Sequence, residues 1–93
     1  MGTVRQGRVA VHEFSLAVEI CRLAVTTAGT ENAGAVRTVG VEVGAAADVA
    51  VENLEFCLEV MLANPPFGAA TPKLLTVPGS DLRLAWLEIE DGD

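Results

Sequence analysis

The stretch that decides the fold is Val36-Arg37-Thr38-Val39-Gly40-Val41-Glu42-Val43-Gly44, near the middle of the 93-residue chain. In its second half, valines alternate with Gly40 and Glu42, which is the period-two pattern of a strand with one buried face. Gly44 ends the pattern. The segment therefore predicts a β-strand, and the elements on either side of it are expected to cover its valine face.

A helix is predicted before this strand, from Glu13 to Thr27, with Gly29 as its C-terminal cap. Residues 1–10 are expected to be a loose leader. The predicted apolar stripe of the helix follows three- and four-residue spacing. Its members are Phe14, Ala17, Val18, Cys21, Ala24 and Val25.

A second helix is predicted after the strand, from about Val49 to Leu62. Asp48 is the expected N-cap, because its carboxylate can accept the free amide N–H groups of the first turn. Asn64-Pro65-Pro66 ends the helix, since proline lacks the N–H that the helix needs. The predicted buried stripe consists of Val51, Leu54, Cys57, Leu58 and Met61.

Two more strands are predicted, from Thr71 to Val77 and from Leu82 to Glu90. Between them lies the turn sequence Pro78-Gly79-Ser80-Asp81, so we expect the two strands to form a hairpin. The order α-β-α-β-β predicts an α+β fold with two helices packed on one face of a small three-stranded sheet. One domain would cover residues 11–93, with an acidic tail at 91–93.

The composition excludes several classes of function. The net charge is −7, and an acidic surface repels both phosphate backbones and anionic membranes. No apolar run is long enough for a membrane span, and the first ten residues lack the apolar core of a secretory signal. Cys21 and Cys57 are expected to be free thiols, which indicates a cytoplasmic protein.

No catalytic constellation is evident, so we do not predict an enzyme. Glu52, Glu55 and Glu59 share one face of the second helix, and a solvated face is the expected interpretation. Cys21 and Cys57 are better explained as small core residues than as half of a zinc site, which would lack two further ligands.

His12 and Glu13 allow two interpretations. Imidazole is a ligand for nickel, copper or zinc, so the pair is a candidate metal site. Taken alone, the pair is more typical of an ordinary helix start, where a glutamate favours the positive end of the helix dipole. The residues alone leave both interpretations open.

A resemblance to a known protein family favours the metal-site interpretation. His12-Glu13-Phe14-Ser15-Leu16-Ala17 resembles the N-terminal signature of the HypA/HybF family, which inserts nickel during the maturation of [NiFe] hydrogenase and sometimes urease. The resemblance extends over Val36–Gly44, Val49–Met61 and Leu82–Asp91. It implies a nickel metallochaperone that binds Ni(II) at the N-terminus through the terminal amine, a backbone amide and the imidazole of His12, with Glu13 nearby.

The resemblance also implies partners, namely a maturation GTPase and the hydrogenase large subunit, and it leaves a homodimer open. Two departures from the family pattern affect these expectations. The family carries a zinc domain between the last two strands, where this chain has only Pro78–Asp81, so no structural zinc is expected. Val11 stands in the place of the family's initiating Met, so we hypothesise that Val11 is the true start, encoded by GTG.

Two other functional interpretations stay open. The chain could be a metal-free adaptor of hydrogenase assembly, derived from the same family and acting only as a binding module. It could also be a generic α/β domain in which the hexapeptide arises by chance. The start codon would in part separate the nickel metallochaperone from the metal-free adaptor, because a genuine leader would remove the terminal amine from the site.

Overall fold

The structure, a computed structural model, describes residues 2–90 and the side chains of residues 12–90. Its helices and strands follow the predicted order, and a short 3-10 helix, Thr30–Ala35, precedes the first strand. The elements are α1 (Gly2–Ala28), β1 (Val36–Gly44), α2 (Val51–Leu62), β2 (Thr71–Val77) and β3 (Leu82–Ile89). The predicted α+β class is confirmed.

The limits of α1 agree with the prediction at one end only. The helix begins at Gly2, upstream of the predicted start at Glu13. Gly29 ends it as predicted, with φ at 94° and its N–H donating to the Val25 carbonyl at 2.8 Å. The expectation that residues 1–10 are a leader and the hypothesis that translation starts at Val11 stay predictions. The expected acidic tail lies outside the described residues.

The predicted hairpin is wrong, because β1 lies between the other two strands. The sheet order is β2-β1-β3, with β1 parallel to β2 and antiparallel to β3. Most of β1 is buried, so pairing along both of its edges satisfies backbone groups that water cannot reach. Pro72 lies in β2, at an edge of the sheet where a missing N–H is tolerated.

The four-residue connection from β2 to β3 passes across the C-terminal end of β1. Gly44 N donates to the Asp81 carbonyl at 2.7 Å, and Ala45 N donates to the Val77 carbonyl at 2.7 Å. A Cβ at Gly44 would lie 2.4 Å from the Gly79 carbonyl oxygen, so the close approach requires glycine there. The turn sequence was identified correctly, but it joins the two strands on either side of β1.

The two helices cover one face of this sheet, as predicted. α1 packs against α2 and β3, and α2 packs against β2. One core cluster joins buried residues of both helices to the valines of β1. No helix within residues 2–90 is both long enough and apolar enough to cross a membrane.

The buried face of each helix differs from the predicted stripe. On α1, Phe14 and Val18 are 54% and 43% exposed, so their predicted burial is wrong. Ala17 and Ala24 are buried as predicted, and with Glu13 and Ile20 they form the buried face of α1 within residues 12–28, at i, i+4, i+7 and i+11. On α2 the buried residues are Leu54, Leu58 and Leu62, while Cys57 and Met61 are half-buried and Val51 is exposed.

The other face of the sheet is covered at its centre by Trp86. Trp86 is the cross-strand neighbour of Gly40, and a Cβ at Gly40 would lie only 2.2 Å from the indole ring. The glycine in the strand pattern therefore provides room for the ring.

Candidate metal site at the start of the first helix

Glu13 is a charged residue in the buried face of α1. Only 1% of its surface is exposed, and it is the only polar residue among the buried residues of the described chain. It lies one helical turn before Ala17, on the side of α1 that faces the core. A carboxylate in this position must find a partner inside the protein, because burial of an unpaired charge is costly.

The partner is the backbone at the start of α2. Glu13 Oε2 accepts a hydrogen bond from Ala50 N at 2.9 Å. Ala50 is the N-cap residue of α2 and has no side-chain cap of its own. The carboxylate of Glu13 therefore caps a helix 37 residues further along the chain, where the positive end of the helix dipole favours a negative charge.

The predicted cap, Asp48, does not have this role. Asp48 is exposed, and α2 begins at Val51. The first intrahelical bond runs from Leu54 N to the Ala50 carbonyl at 3.0 Å, so position 48 lies two residues before the cap. The prediction of a capping carboxylate was correct in its chemistry and wrong in its residue.

The second carboxylate oxygen of Glu13, Oε1, is buried and makes no hydrogen bond within the part of the chain whose side chains the structure describes. A buried acceptor without a partner costs roughly 1–3 kcal/mol. The carboxylate of Glu13 is therefore held by one hydrogen bond, through its other oxygen.

His12, the residue directly before Glu13, is exposed. Successive residues of an α-helix point about 100° apart, so α1 turns His12 toward solvent and Glu13 toward the core. The two predicted metal residues are adjacent in the chain, but the structure does not bring their side chains to a common point. Within the described residues, no group of three or more His, Cys, Asp or Glu side chains is arranged to hold a metal ion.

The two cysteines are free and half-buried. Cys21 on α1 contacts α2, where its thiol donates to Met61 Sδ at 3.9 Å. Burial raises the pKa of the Cys21 thiol to about 11, so the thiol stays protonated at neutral pH and is a poor nucleophile and metal ligand. This environment agrees with the predicted role of small packing residues.

The candidate acidic face of α2 stays largely in solvent. Glu52 and Glu59 are exposed, and Glu55 is half-buried. None of the three takes part in a salt bridge among the described residues. The face is a solvated one, as the sequence predicted.

Sequence reasoning missed the contact between Glu13 and Ala50. The signal was partly present, because Glu13 extends the spacing of Ala17, Ile20 and Ala24 toward the N-terminus. The predicted stripe contained only hydrophobic residues and began at Phe14, so Glu13 was not included in it.

The fold and this site together define a small α+β protein in which a histidine-bearing helix is fixed to its neighbour by a buried carboxylate. Residues 11–83 match the sequence model of the family described as "Hydrogenase/urease nickel incorporation, metallochaperone, hypA". The chain belongs to this family.

Individual relatives agree with the family match. The chain is 33% identical over 70 residues to a hydrogenase maturation factor HypA of Dechloromonas aromatica and 39% identical over 70 residues to that of Azoarcus sp.. It is 35% identical over 68 residues to that of Methanobrevibacter smithii. These alignments cover 75%, 75% and 73% of this chain, but only 62%, 61% and 54% of the relatives, so the chain spans little more than half of their length.

Proposed function

We propose that this protein is a nickel metallochaperone that carries Ni(II) during [NiFe] hydrogenase maturation, and that it is not an enzyme. His12 supplies the imidazole ligand, and Glu13 belongs to the same site. The observation that carries the proposal is the placement of His12, which is exposed one residue from a side chain anchored in the core. An exposed imidazole can take up and release a metal ion without unfolding the helix pair.

The nickel ion is cargo in this proposal. Nickel(II) favours nitrogen-rich, square-planar sites. An imidazole, a deprotonated backbone amide and a terminal amine would provide such a set if translation starts at Val11. Metal uptake would release protons, because the amide and imidazole ligands bind in their deprotonated forms.

We propose that this domain needs no structural zinc. Support comes from the connection between β2 and β3, where Pro78–Asp81 contains no cysteine and is held against the end of β1 by hydrogen bonds. A zinc module inserted at this point would have to replace those contacts.

The proposed partners are a maturation GTPase and the hydrogenase large subunit, in the cytoplasm. Free cysteines are compatible with a reducing compartment. Partner binding is supported by apolar side chains on the solvent side of the two helices, which we term the outer helical surface. Its members are Phe14, Val18, Phe56 and Val60, each at least 43% exposed. A homodimer would be an alternative use of this surface.

The metal-free adaptor is the second candidate function. The outer helical surface favours it, because that surface needs no metal to bind a partner. It is less well supported than the metallochaperone, since the matching family is described by nickel incorporation.

Complementation of a hydrogenase-producing strain that lacks its own HypA separates the two. The strain would receive the wild-type chain, the His12→Ala variant or the Ser15→Ala variant, which changes another exposed residue of α1. Hydrogenase activity would be measured at limiting nickel. Activity with the wild type and Ser15→Ala but not with His12→Ala supports the metallochaperone. Equal activity with all three supports the adaptor, and no activity with any of them contradicts both.

A further inference from the structure

We infer that Glu13 is a positioning residue of the nickel site and not a nickel ligand. Its carboxylate fixes the part of α1 that carries His12 to the start of α2, and this fixes the direction in which His12 points. The inference rests on the proposed function for its nickel readout, and it also makes a prediction for the metal-free protein.

From its position on α2, the Glu13 carboxylate does not reach a nickel ion held by His12. Both carboxylate oxygens of Glu13 lie inside the protein, one on Ala50 N and the other out of contact with solvent. His12 is exposed and points about 100° away from Glu13 around the helix axis, into solvent. A nickel ion held by His12 would reach the Glu13 carboxylate only if the carboxylate left α2.

Movement of the Glu13 carboxylate away from the start of α2 would be unfavourable. Ala50 has no side-chain cap of its own, so departure of Glu13 would remove the acceptor of its N–H. It would also remove the negative charge that lies at the positive end of the α2 dipole. The hydrogen bond is therefore stronger than an ordinary one between neutral groups, and the resting position of the carboxylate is on α2.

Few described side chains hold the part of α1 around His12 to α2. After Glu13, the next fully buried residue of α1 is Ala17, one turn further on. A methyl group can pack, but it gives no directional bond. Among the side chains of residues 12–90, the hydrogen bond from Ala50 N to Glu13 is the directional contact with α2 that lies next to His12, and its loss would free this part of α1 to shift relative to α2.

Glu13 is thus comparable to residues that orient a metal ligand through a hydrogen bond without binding the metal themselves. Residues that orient a metal ligand without touching the metal affect affinity by roughly 10–100-fold when they are replaced. Glu13 orients through the backbone, since it immobilises the residue that follows the ligand. The unpartnered oxygen Oε1 fits this role, because one oxygen is sufficient to hold the helix start.

The test uses the full chain with Glu13→Gln, Glu13→Ala and, as an exposed carboxylate control on the same helix, Glu19→Gln. Glutamine keeps an oxygen that can accept from Ala50 N, whereas alanine removes it. Nickel affinity would be measured by calorimetry and the nickel coordination by its absorption spectrum. Amide exchange of His12 and Ala50 would be followed by NMR without metal, under conditions in which circular dichroism shows each variant folded.

We expect Glu19→Gln to behave as wild type and Glu13→Gln to keep the wild-type spectrum and an affinity within about threefold. Glu13→Ala should keep the spectrum, weaken nickel binding by about tenfold and accelerate exchange at both amides. An altered spectrum and lost binding in Glu13→Gln would make the carboxylate a ligand and overturn the inference. Unchanged affinity and exchange in Glu13→Ala would overturn it as well.

Failure of the proposed function gives a different pattern. If neither the full chain nor a form that begins with methionine directly before His12 binds nickel through His12, the metallochaperone proposal fails, and the metal-free exchange experiment still decides the positioning role. Faster exchange at His12 in Glu13→Ala would then support that role, and unchanged exchange would overturn it.

Discussion

Glu13 Oε2 lies 2.9 Å from Ala50 N, and this hydrogen bond joins α1, next to His12, to the N-cap residue of α2. It connects residues 37 positions apart in the chain. It also bears on the helix-start interpretation of the His12-Glu13 pair. Glu13 does provide a helix start, but the helix that it caps is α2, and His12 alone faces solvent.

Removal of this cap should destabilise the fold. Glu13→Ala deletes a charged acceptor and leaves Ala50 N without a partner, so the free energy of unfolding should fall by about 2 kcal/mol. The matched control is Asp48→Ala, which should change it by less than about 0.5 kcal/mol because Asp48 is exposed and caps nothing. Urea denaturation measures both, and a larger loss for Asp48→Ala would show that the capping residue is misassigned.

A methyl group at position 40 should disturb the sheet. In Gly40→Ala the new Cβ would lie within 2.3 Å of several Trp86 ring atoms, and displacement of the ring should cost about 1–3 kcal/mol. The tryptophan emission maximum should shift in the same variant. Gly34→Ala is the control, because its Cβ would lie 3.9 Å from the nearest atom. Equal stability of the two variants would contradict the packing of Trp86 on Gly40.

The Cys21 thiol should react slowly with iodoacetamide. Its pKa rises from 9.0 to about 11 in the fold, so at about pH 9 the thiolate fraction, and with it the alkylation rate, should be about 50-fold lower than in urea-unfolded protein. The unfolded chain gives up this proton first, so the thiol's contribution to stability declines as the pH rises from about 9 and is lost above about 11.

Mass spectrometry of the Cys57→Ser variant would isolate the alkylation of Cys21. Equal rates in the folded and unfolded protein would show that the thiol is not buried against α2.

The outer helical surface should be dispensable for folding. Phe56 is 65% exposed, whereas Leu58, two residues later, is fully buried. Phe56→Ala should therefore change the unfolding free energy by less than about 0.5 kcal/mol, while Leu58→Ala should cost about 3 kcal/mol. Thermal and urea unfolding give both values. A large loss in Phe56→Ala would mean that the residue is part of the core and not a surface for a partner.

The local signals in the sequence predicted much of the fold. The limits of β2, Thr71–Val77, and the cap at Gly29 agree with the prediction because both depend on neighbouring residues. Strand pairing depends on distant ones. A four-residue turn after β2 indicated a hairpin, but nothing in that turn revealed that β1 has two edges to satisfy.

The site was harder to predict than the fold. His12 and Glu13 were identified from the hexapeptide that they begin, but a sequence does not show which residue of an adjacent pair faces the core. Hydrophobicity assigned Phe14 to the interior, but Phe14 is exposed and its neighbour Glu13 is buried. The partner of Glu13 is a backbone amide, Ala50 N, which no side-chain pattern could have indicated.

A calorimetric Ni(II) titration is the first measurement to make on the proposal that His12 binds nickel. The titration would compare the full chain with a form that begins with methionine directly before His12, each with and without His12→Ala. We expect binding near one ion per chain in the shorter form and its loss in the His12→Ala variant of that form. If neither form shows His12-dependent binding, the proposal is wrong.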